Sequence, residues 1–229
     1  MPIELVIFDL AGTTVKDNKD VHRVLQHALL QEGISISLEE ANAVMGIPKP
    51  IAIRQLLEKK YNGPKEITED WIMHIHESFV KQMTDFYKHD PSVAECEGVS
   101  ETFRKLKESK LKIAVDTGFD RLITQALLDR LGWEEQGLID ASVTSDEVLR
   151  GRPFPDMVFK AMEMTHVNDA RSVAKVGDTS YDLQEGFSAG CGIIIGVTTG
   201  AFSREELTKE PHTHLIEKVP QIIEILNHH

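Results

Sequence analysis

The chain has 229 residues, enough for one large domain or for a core carrying a smaller insertion. Apolar residues make up 41% and charged residues 27%, ordinary shares for a globular protein, and the formal net charge of −12 leaves no basic footprint for a nucleic-acid backbone, although one local site could still be positive. The two cysteines, Cys96 and Cys191, make no disulfide framework and fit a reducing, cytoplasmic setting; no run approaches a membrane span and no secretion signal is read.

Residues 3–9 read as a buried strand, in which Val6, Ile7 and Phe8 lead to Asp9 and then to a Gly-Thr-Thr turn. From 17 to 94 the pattern is helical. "DVHRVLQHALLQEG" puts Val21, Val24, Leu25, Ala28 and Leu29 on one face and stops at Gly33. Ser37 with Glu40 three places on is a capping box opening the next helix. "PIAIRQLLEKK" and "TEDWIMHIHESFVKQMTDFY" are two further amphipathic helices. Strand and helix then alternate: helix 100–109, strand 111–118, helix 121–132, strand 138–145, helix 155–165, strand 172–179, helix 180–190, strand 192–200, and a closing helix 219–226. This predicts an α/β fold, a Rossmann-like parallel sheet with helices on both faces, formed by 1–16 and 95–229, with 17–94 as an inserted all-helical domain. The two chain crossings, near 15–18 and 90–97, are the expected hinges.

In such sheets ligands bind at the carboxyl ends of the strands. Asp9, Gly12 and Thr13 follow the first strand; Asp116, Thr117 and Gly118 end the second; Asp178 ends the "VAKVGD" strand, with Asp182 four residues later; Arg152 lies in "GRPFPD". Taken singly, an Asp before a helix is an N-cap, a Thr-Gly pair a turn, and an Arg before Pro a solvated side chain. Together they bring carboxylates, a hydroxyl and a cation to one edge. Clustered carboxylates call for a cation, and oxygen ligands favour Mg²⁺. Mg²⁺, Arg152, Thr117 and the turn amides of Gly12, Thr13 and Gly118 would hold a phosphoryl group while Asp9 attacks phosphorus.

"DLAGTT", "VDTG", "GRPFPD" and "GDTSYD", in this order, resemble the four motifs of the haloacid dehalogenase superfamily over nearly the whole chain. The resemblance implies a helical cap inserted between the first two motifs. It implies Asp9 as a nucleophile that becomes an aspartyl-phosphate, with Thr117 and Arg152 on the phosphoryl oxygens. The metal ligands it implies are the Asp9 carboxylate, the Ala11 carbonyl and Asp178, with Asp182 in support.

Phosphatases of this superfamily place a second Asp two residues after the nucleophile as general acid and base, where this chain has Ala11. The phosphonatase branch, the phosphonoacetaldehyde hydrolases, also has Ala there. It cleaves a carbon–phosphorus bond by making a cap lysine into a Schiff base with the substrate aldehyde, so that the iminium accepts the electrons of the broken bond. Met45, Gly46 and Lys49 match that branch's Met-Gly-x-x-Lys motif. Pro50 reads as the first residue of the next helix, whose positive end would lower the pKa of Lys49. Lys49 is then either the imine-forming amine or a charge contact to an anionic substrate.

The chain departs from that branch at Ala52, where a histidine stands, at Leu10, where a Trp is common, and at Asp116, where a hydroxyl residue precedes the Thr. These departures bear on the substrate more than on the reaction. The expected activity is Mg²⁺-dependent hydrolysis of a small carbonyl-bearing phosphonate; the alternatives are a phosphomonoesterase and a non-catalytic binder of a phospho-ligand. The expected partner is thus a small phosphonate or phosphate, with neither nucleic acid nor membrane, and the chain is a monomer or homodimer. His74 and His76, two apart on a helix, point away from each other and read as surface or packing residues. Trp71, Phe79 and Phe86 read as core, His212 and His214 as a polar loop, and the closing His228-His229 pair is given no role.

Overall fold

Six short runs rich in Val, Ile and Ala form a single parallel sheet in the computed structural model, which describes residues 2–227 and so leaves His228 and His229 outside the described residues. The strands are β1 (Leu5–Asp9), β2 (Lys112–Thr117), β3 (Ala141–Thr144), β4 (Val173–Gly177), β5 (Ile193–Val197) and β6 (His214–Ile216), in the order β3-β2-β1-β4-β5-β6. Their side chains alternate between the two faces, as the strand period of two requires. Val6 and Phe8 join the cluster that holds Phe103 and Trp133, with the Phe8 and Phe103 rings 5.0 Å apart. Leu5 and Ile7 pack the other way, against Met157, Val158 and Ala161. Both faces are therefore covered, by α5 (Val99–Glu108), α6 (Arg121–Leu131), α7 (Asp156–Thr165) and α8 (Ser180–Ala189).

The chain runs outward from β1 to β2 and β3, then returns to β4 on the opposite side of β1. That reversal opens a crevice at the carboxyl ends of β1 and β4. The register aims the chemistry into it: Asp9 stands opposite Asp116, and Phe8 opposite Val176, so that Asp9, Thr117 and Asp178 leave the sheet at one edge.

Four helices fill the segment between β1 and α5: α1 (Asp20–Gln31), α2 (Leu38–Asn42), α3 (Lys49–Lys60) and α4 (Glu69–His89). The predicted face of α1 is buried at Val21, Leu25, Ala28 and Leu29. The capping box of α2 is formed: Ser37 Oγ accepts the Glu40 N–H at 3.1 Å, and the Ser37 N–H donates to Glu40 Oε2 at 2.9 Å. The two crossings lie side by side, tied by Lys16 N–H to the Ala94 carbonyl (3.0 Å) and Cys96 N–H to the Thr14 carbonyl (2.8 Å).

Two expectations change. His214 opens β6 instead of lying in a loop, and a short helix, α9 (Arg204–Leu207), precedes that strand. A three-residue edge strand that is only half-buried needs no apolar run; the backbone of Thr213, donating to Ile194 at 2.8 Å, sets it in place.

Candidate active site

The turn after β1 is built around one carbonyl. Leu10 O accepts the N–H groups of Thr13, Thr14 and Val15 at 3.2, 2.9 and 2.8 Å, and Thr14 Oγ1 donates to Asp9 O at 2.8 Å. Gly12 has φ +95°, and a Cβ there would lie 2.6 Å from Asp178 Oδ2. Glycine therefore both permits the turn and lets the β4 carboxylate come up against it. Asp178 Oδ1 accepts from Thr13 Oγ1 at 3.0 Å, and its Oδ2 from the Ala201 N–H at 2.6 Å. Thr13 thus holds a carboxylate here.

Burial pushes the Asp9 carboxyl up to about 6, with repulsion from Asp182 adding to it and attraction from Arg152 and Lys175 opposing it. Asp178 is pushed well above the ordinary range by burial and by the charges of Asp9 and Asp182.

Two groupings of carboxylates could draw a cation, and they differ in what already sits among them. Oxygens of Asp9, Asp116 and Asp182 lie within 4.8 Å of one another. The Arg152 guanidinium is in their midst: Nη1 is 2.7 Å from Asp9 Oδ1 and 3.0 Å from Asp182 Oδ1, Nη2 is 2.6 Å from Asp116 Oδ1, and Nε is 3.0 Å from Glu185 Oε2. This grouping has its counter-ion. Asp178 has only neutral donors, with no Lys or Arg nitrogen within 4.0 Å among the described residues. The donor set of Asp9, the Ala11 carbonyl and Asp178 therefore fits a small hard dication, which would relieve the repulsion between the two carboxylates.

Asp182 stands behind this set. Its Oδ2 accepts from Thr179 Oγ1 at 2.5 Å and Thr179 N–H at 3.1 Å, closing the capping box of α8. Asp116 is buried beneath Thr117, held by Arg152 and by a short contact to Lys175.

Lys175 and Glu185 are the residues that sequence reasoning passed over. Lys175, 0% exposed in the middle of β4, also lies 3.1 Å from Glu185 Oε2 and 3.4 Å from Asp182 Oδ1. Burial and the nearby Asp116 charge push Glu185 up to about 8, against the attraction of Lys175 and Arg152. The signal was a lysine inside an otherwise apolar strand, since a charge there is tolerated only when paired.

The other wall comes from the helical insertion. Gly46 has φ +89°, and a Cβ on it would meet Thr179 Oγ1 at 2.5 Å. A Cβ on Gly118 would lie 3.1 Å from the carbonyl oxygens of Gly46 and Ile47, and one on Gly151 2.5 Å from Pro48. Bare backbone on both sides lets the 45–49 loop seat on the core.

This loop delivers Lys49, 3% exposed, as the first residue of α3. Its Nζ donates to the Ile47 carbonyl at 3.4 Å and stands 5.5 Å from the Phe119 ring centre and 5.9 Å from that of Phe79. Burial brings its pKa down to about 8, against the attraction of Asp9, Asp120 and Asp17. The direction matches the sequence expectation, but the chief cause is desolvation between two aromatic rings.

Asp9, Ala11, Lys49, Thr117, Arg152 and Asp178 all line one cavity of about 40 Å³, together with Gly118. Gly12, Thr13 and Asp182 lie behind its wall. Among the predicted bystanders, Phe79 is core as expected and also flanks Lys49, while His76 is buried 3.3 Å from Asp120. The cavity offers a carboxylate, an arginine, a hydroxyl and an amine of lowered pKa, and no acid at position 11.

A family model described as haloacid dehalogenase-like hydrolase matches residues 6–196. The chain is 34% identical over 237 residues to the phosphonoacetaldehyde hydrolase of Bacillus cereus (strain G9842), covering 96% of this chain and 86% of that one. It is also similar to the crystal structure of a phosphonoacetaldehyde hydrolase-like protein from Oleispira antarctica, with a TM-score of 0.87, 25% identity, and coverage of 100% of this chain and 92% of that chain. A predicted phosphoglycolate phosphatase from Haemophilus somnus 129pt superimposes with a TM-score of 0.82 at 20% identity, covering 97% of each chain, a likeness of fold alone.

Proposed function

The chain belongs to the haloacid dehalogenase-like hydrolases, and on that premise we propose that it cleaves the C–P bond of a small carbonyl-bearing phosphonate of the phosphonoacetaldehyde type. The observation that carries this reading is the pairing of Ala11 with Lys49 across one cavity. A phosphate ester needs a proton for its departing alkoxide, and Ala11 has none to give. A carbon leaving group needs somewhere for its electrons to go, and an amine that is readily neutral can make that place.

Neutral Lys49 adds to the substrate aldehyde and, with uptake of one proton and loss of water, becomes an iminium. Asp9 then attacks phosphorus. The P–C bond breaks, its electron pair moves toward the iminium nitrogen, and an enamine forms as Asp9 becomes an aspartyl-phosphate. Protonation and hydrolysis of the enamine return Lys49 and release an aldehyde; attack of water on the aspartyl-phosphate returns Asp9 and releases phosphate. Arg152 and Thr117 hold the phosphonate oxygens, and residues 17–94 act as a cap that closes the site against water. Mg²⁺ held by Asp9, the Ala11 carbonyl and Asp178 would neutralise the negative charge gathered between nucleophile and substrate.

A second reading, a phosphomonoesterase, is favoured by one feature: Ala52 stands where the phosphonatase branch has a histidine, which leaves Lys49 as a plain cation over an anionic substrate. Borohydride separates the two. With phosphonoacetaldehyde and Mg²⁺, the expected result is turnover and a secondary amine on Lys49, found by peptide mapping. Asp9→Asn should lose turnover and keep the trap, and Lys49→Arg should lose both. Near-parent C–P cleavage by Lys49→Arg would reduce Lys49 to a charge contact, and turnover of phosphate esters alone would establish the esterase reading instead.

A further inference from the structure

Asp17, partly exposed, and the buried His22 form an acid–base pair that the reaction above does not use. Asp17, on the first crossing between β1 and α1, lines the same cavity as Asp9 and Lys49. Its Oδ1 accepts the N–H groups of Asp20 at 2.7 Å and Val21 at 3.3 Å, which anchors it at the start of α1. Its Oδ2 lies 3.7 Å from His22 Nδ1.

His22 is 2% exposed, and its Nε2 is 2.9 Å from the side-chain oxygen of Asn42. An amide oxygen only accepts, so the neutral ring carries its proton on Nε2 and leaves a lone pair on Nδ1. That nitrogen is buried without a hydrogen-bond partner, and the carboxylate of Asp17 is the group beside it. Burial pulls His22 down and pushes Asp17 up, which narrows the gap between their proton affinities.

Imine formation has a matching requirement. A proton must leave the lysine ammonium, and a proton must reach the hydroxyl that departs as water. Neither Ala11 nor Ala52 can carry one. Resting on the imine reading of Lys49, we propose that Asp17 is the proton-transferring group of this cavity and that His22 is its positioning residue. Asp17 Oδ2 takes a proton from the Lys49 ammonium. The amine adds to the aldehyde carbon, and one of its remaining protons shifts to the new alkoxide to give a carbinolamine. Asp17 returns its proton to that hydroxyl, the C–O bond breaks, water leaves, and the nitrogen lone pair forms the iminium. Reversal of these steps serves hydrolysis at the end of the cycle. His22 Nδ1 shares the Asp17 proton only while the carbinolamine stands, until that proton passes to the departing hydroxyl.

The test is the rate of borohydride trapping of Lys49 with phosphonoacetaldehyde, beside the affinity for inorganic phosphate. Asp17→Asn keeps an oxygen for the N–H groups of α1 but exchanges no proton. It should slow trapping about 100-fold, the low end of general acid–base effects, and leave phosphate affinity at the parent value. Asp17→Ala should regain part of its rate with added formate, which a purely structural carboxylate would not allow. Trapping by Asp17→Asn at the parent rate overturns the proposal and leaves the imine reading standing. So does slowed trapping with an equal loss of phosphate affinity, or absence of rescue by formate. A parent protein that never traps overturns both.

Discussion

A lysine normally loses its proton near pH 10.4, so at pH 7 about one in 2,500 is a free amine; at a pKa of about 8 the fraction is about one in ten. In the proposed reaction no proton donor is needed at Ala11, because burial leaves Lys49 an amine that is readily neutral. The gain in reactivity has a cost in folding. The Lys49 pKa is lower in the folded chain than in the unfolded one, so between about pH 8 and 10.5 the unfolded chain holds more protons and stability rises with pH across that window. Lys49→Met should therefore raise stability at pH 7 by on the order of 3 kcal/mol, a gain that fades as pH approaches 10.5. Chemical denaturation at pH 7 and pH 10 measures it. In the parent, trapping of Lys49 should climb through pH 8 and then level; a rise that continues past pH 10 would mean an ordinary, solvated lysine.

At the scale of elements, the site depends on three glycines that let one loop of the insertion seat on the turns of the core. Gly46, Gly118 and Gly151 let residues 45–49 approach the ends of β2 and β4 and the loop before α7. The same contacts bring Lys49 to the cavity of Asp9. Gly46→Ala meets two obstacles, a positive φ and Thr179 Oγ1 at 2.5 Å. We expect it to hold the cap away from the core, reducing Lys49 trapping at least tenfold while circular dichroism stays that of the parent. A crystal structure of the variant should show the cap rotated about residues 15–18 and 90–97, where the paired crossings are the only covalent links to the core. A seated loop with a normal trapping rate would show that closure tolerates the extra methyl.

Across the whole molecule, charge is distributed against the average. The chain carries a net −12, yet its most buried polar centre gathers Arg152 and Lys175 among Asp9, Asp116, Asp182 and Glu185. Burial and the charge of Asp116 raise the proton affinity of Glu185 there. Asp178 is left without a positive partner among the described residues. A metal at the Asp9–Asp178 pair would therefore bind the folded chain alone and stabilise it by mass action, about 2.7 kcal/mol at a hundredfold excess over Kd. Thermal melts with and without Mg²⁺ should show an upward shift that EDTA reverses and that Asp178→Ala lacks. An equal shift in Asp178→Ala would place the ion elsewhere.

Much of this was legible in one dimension, because it depends on local rules. The alternation of strand and helix, the capping box at Ser37, the apolar face of α1 and the delivery of Asp9 to the tip of β1 follow from side-chain periodicity and turn chemistry within a few residues. So does the presence of an amine in the insertion and the absence of an acid at position 11. What tertiary structure alone decided is every relation between distant segments. Asp9 and Arg152 are 143 positions apart, yet their side chains meet at 2.7 Å because β1 lies between β2 and β4. The lowered pKa of Lys49 comes chiefly from burial between Phe79, midway along α4, and Phe119, from the core. The approach of His22 to Asp17 depends on how α1 leaves the crossing, and the edge strand β6 on a backbone bond to β5. Periodicity assigns a residue to a face; only packing determines what that face meets, and desolvation and charge depend on that meeting.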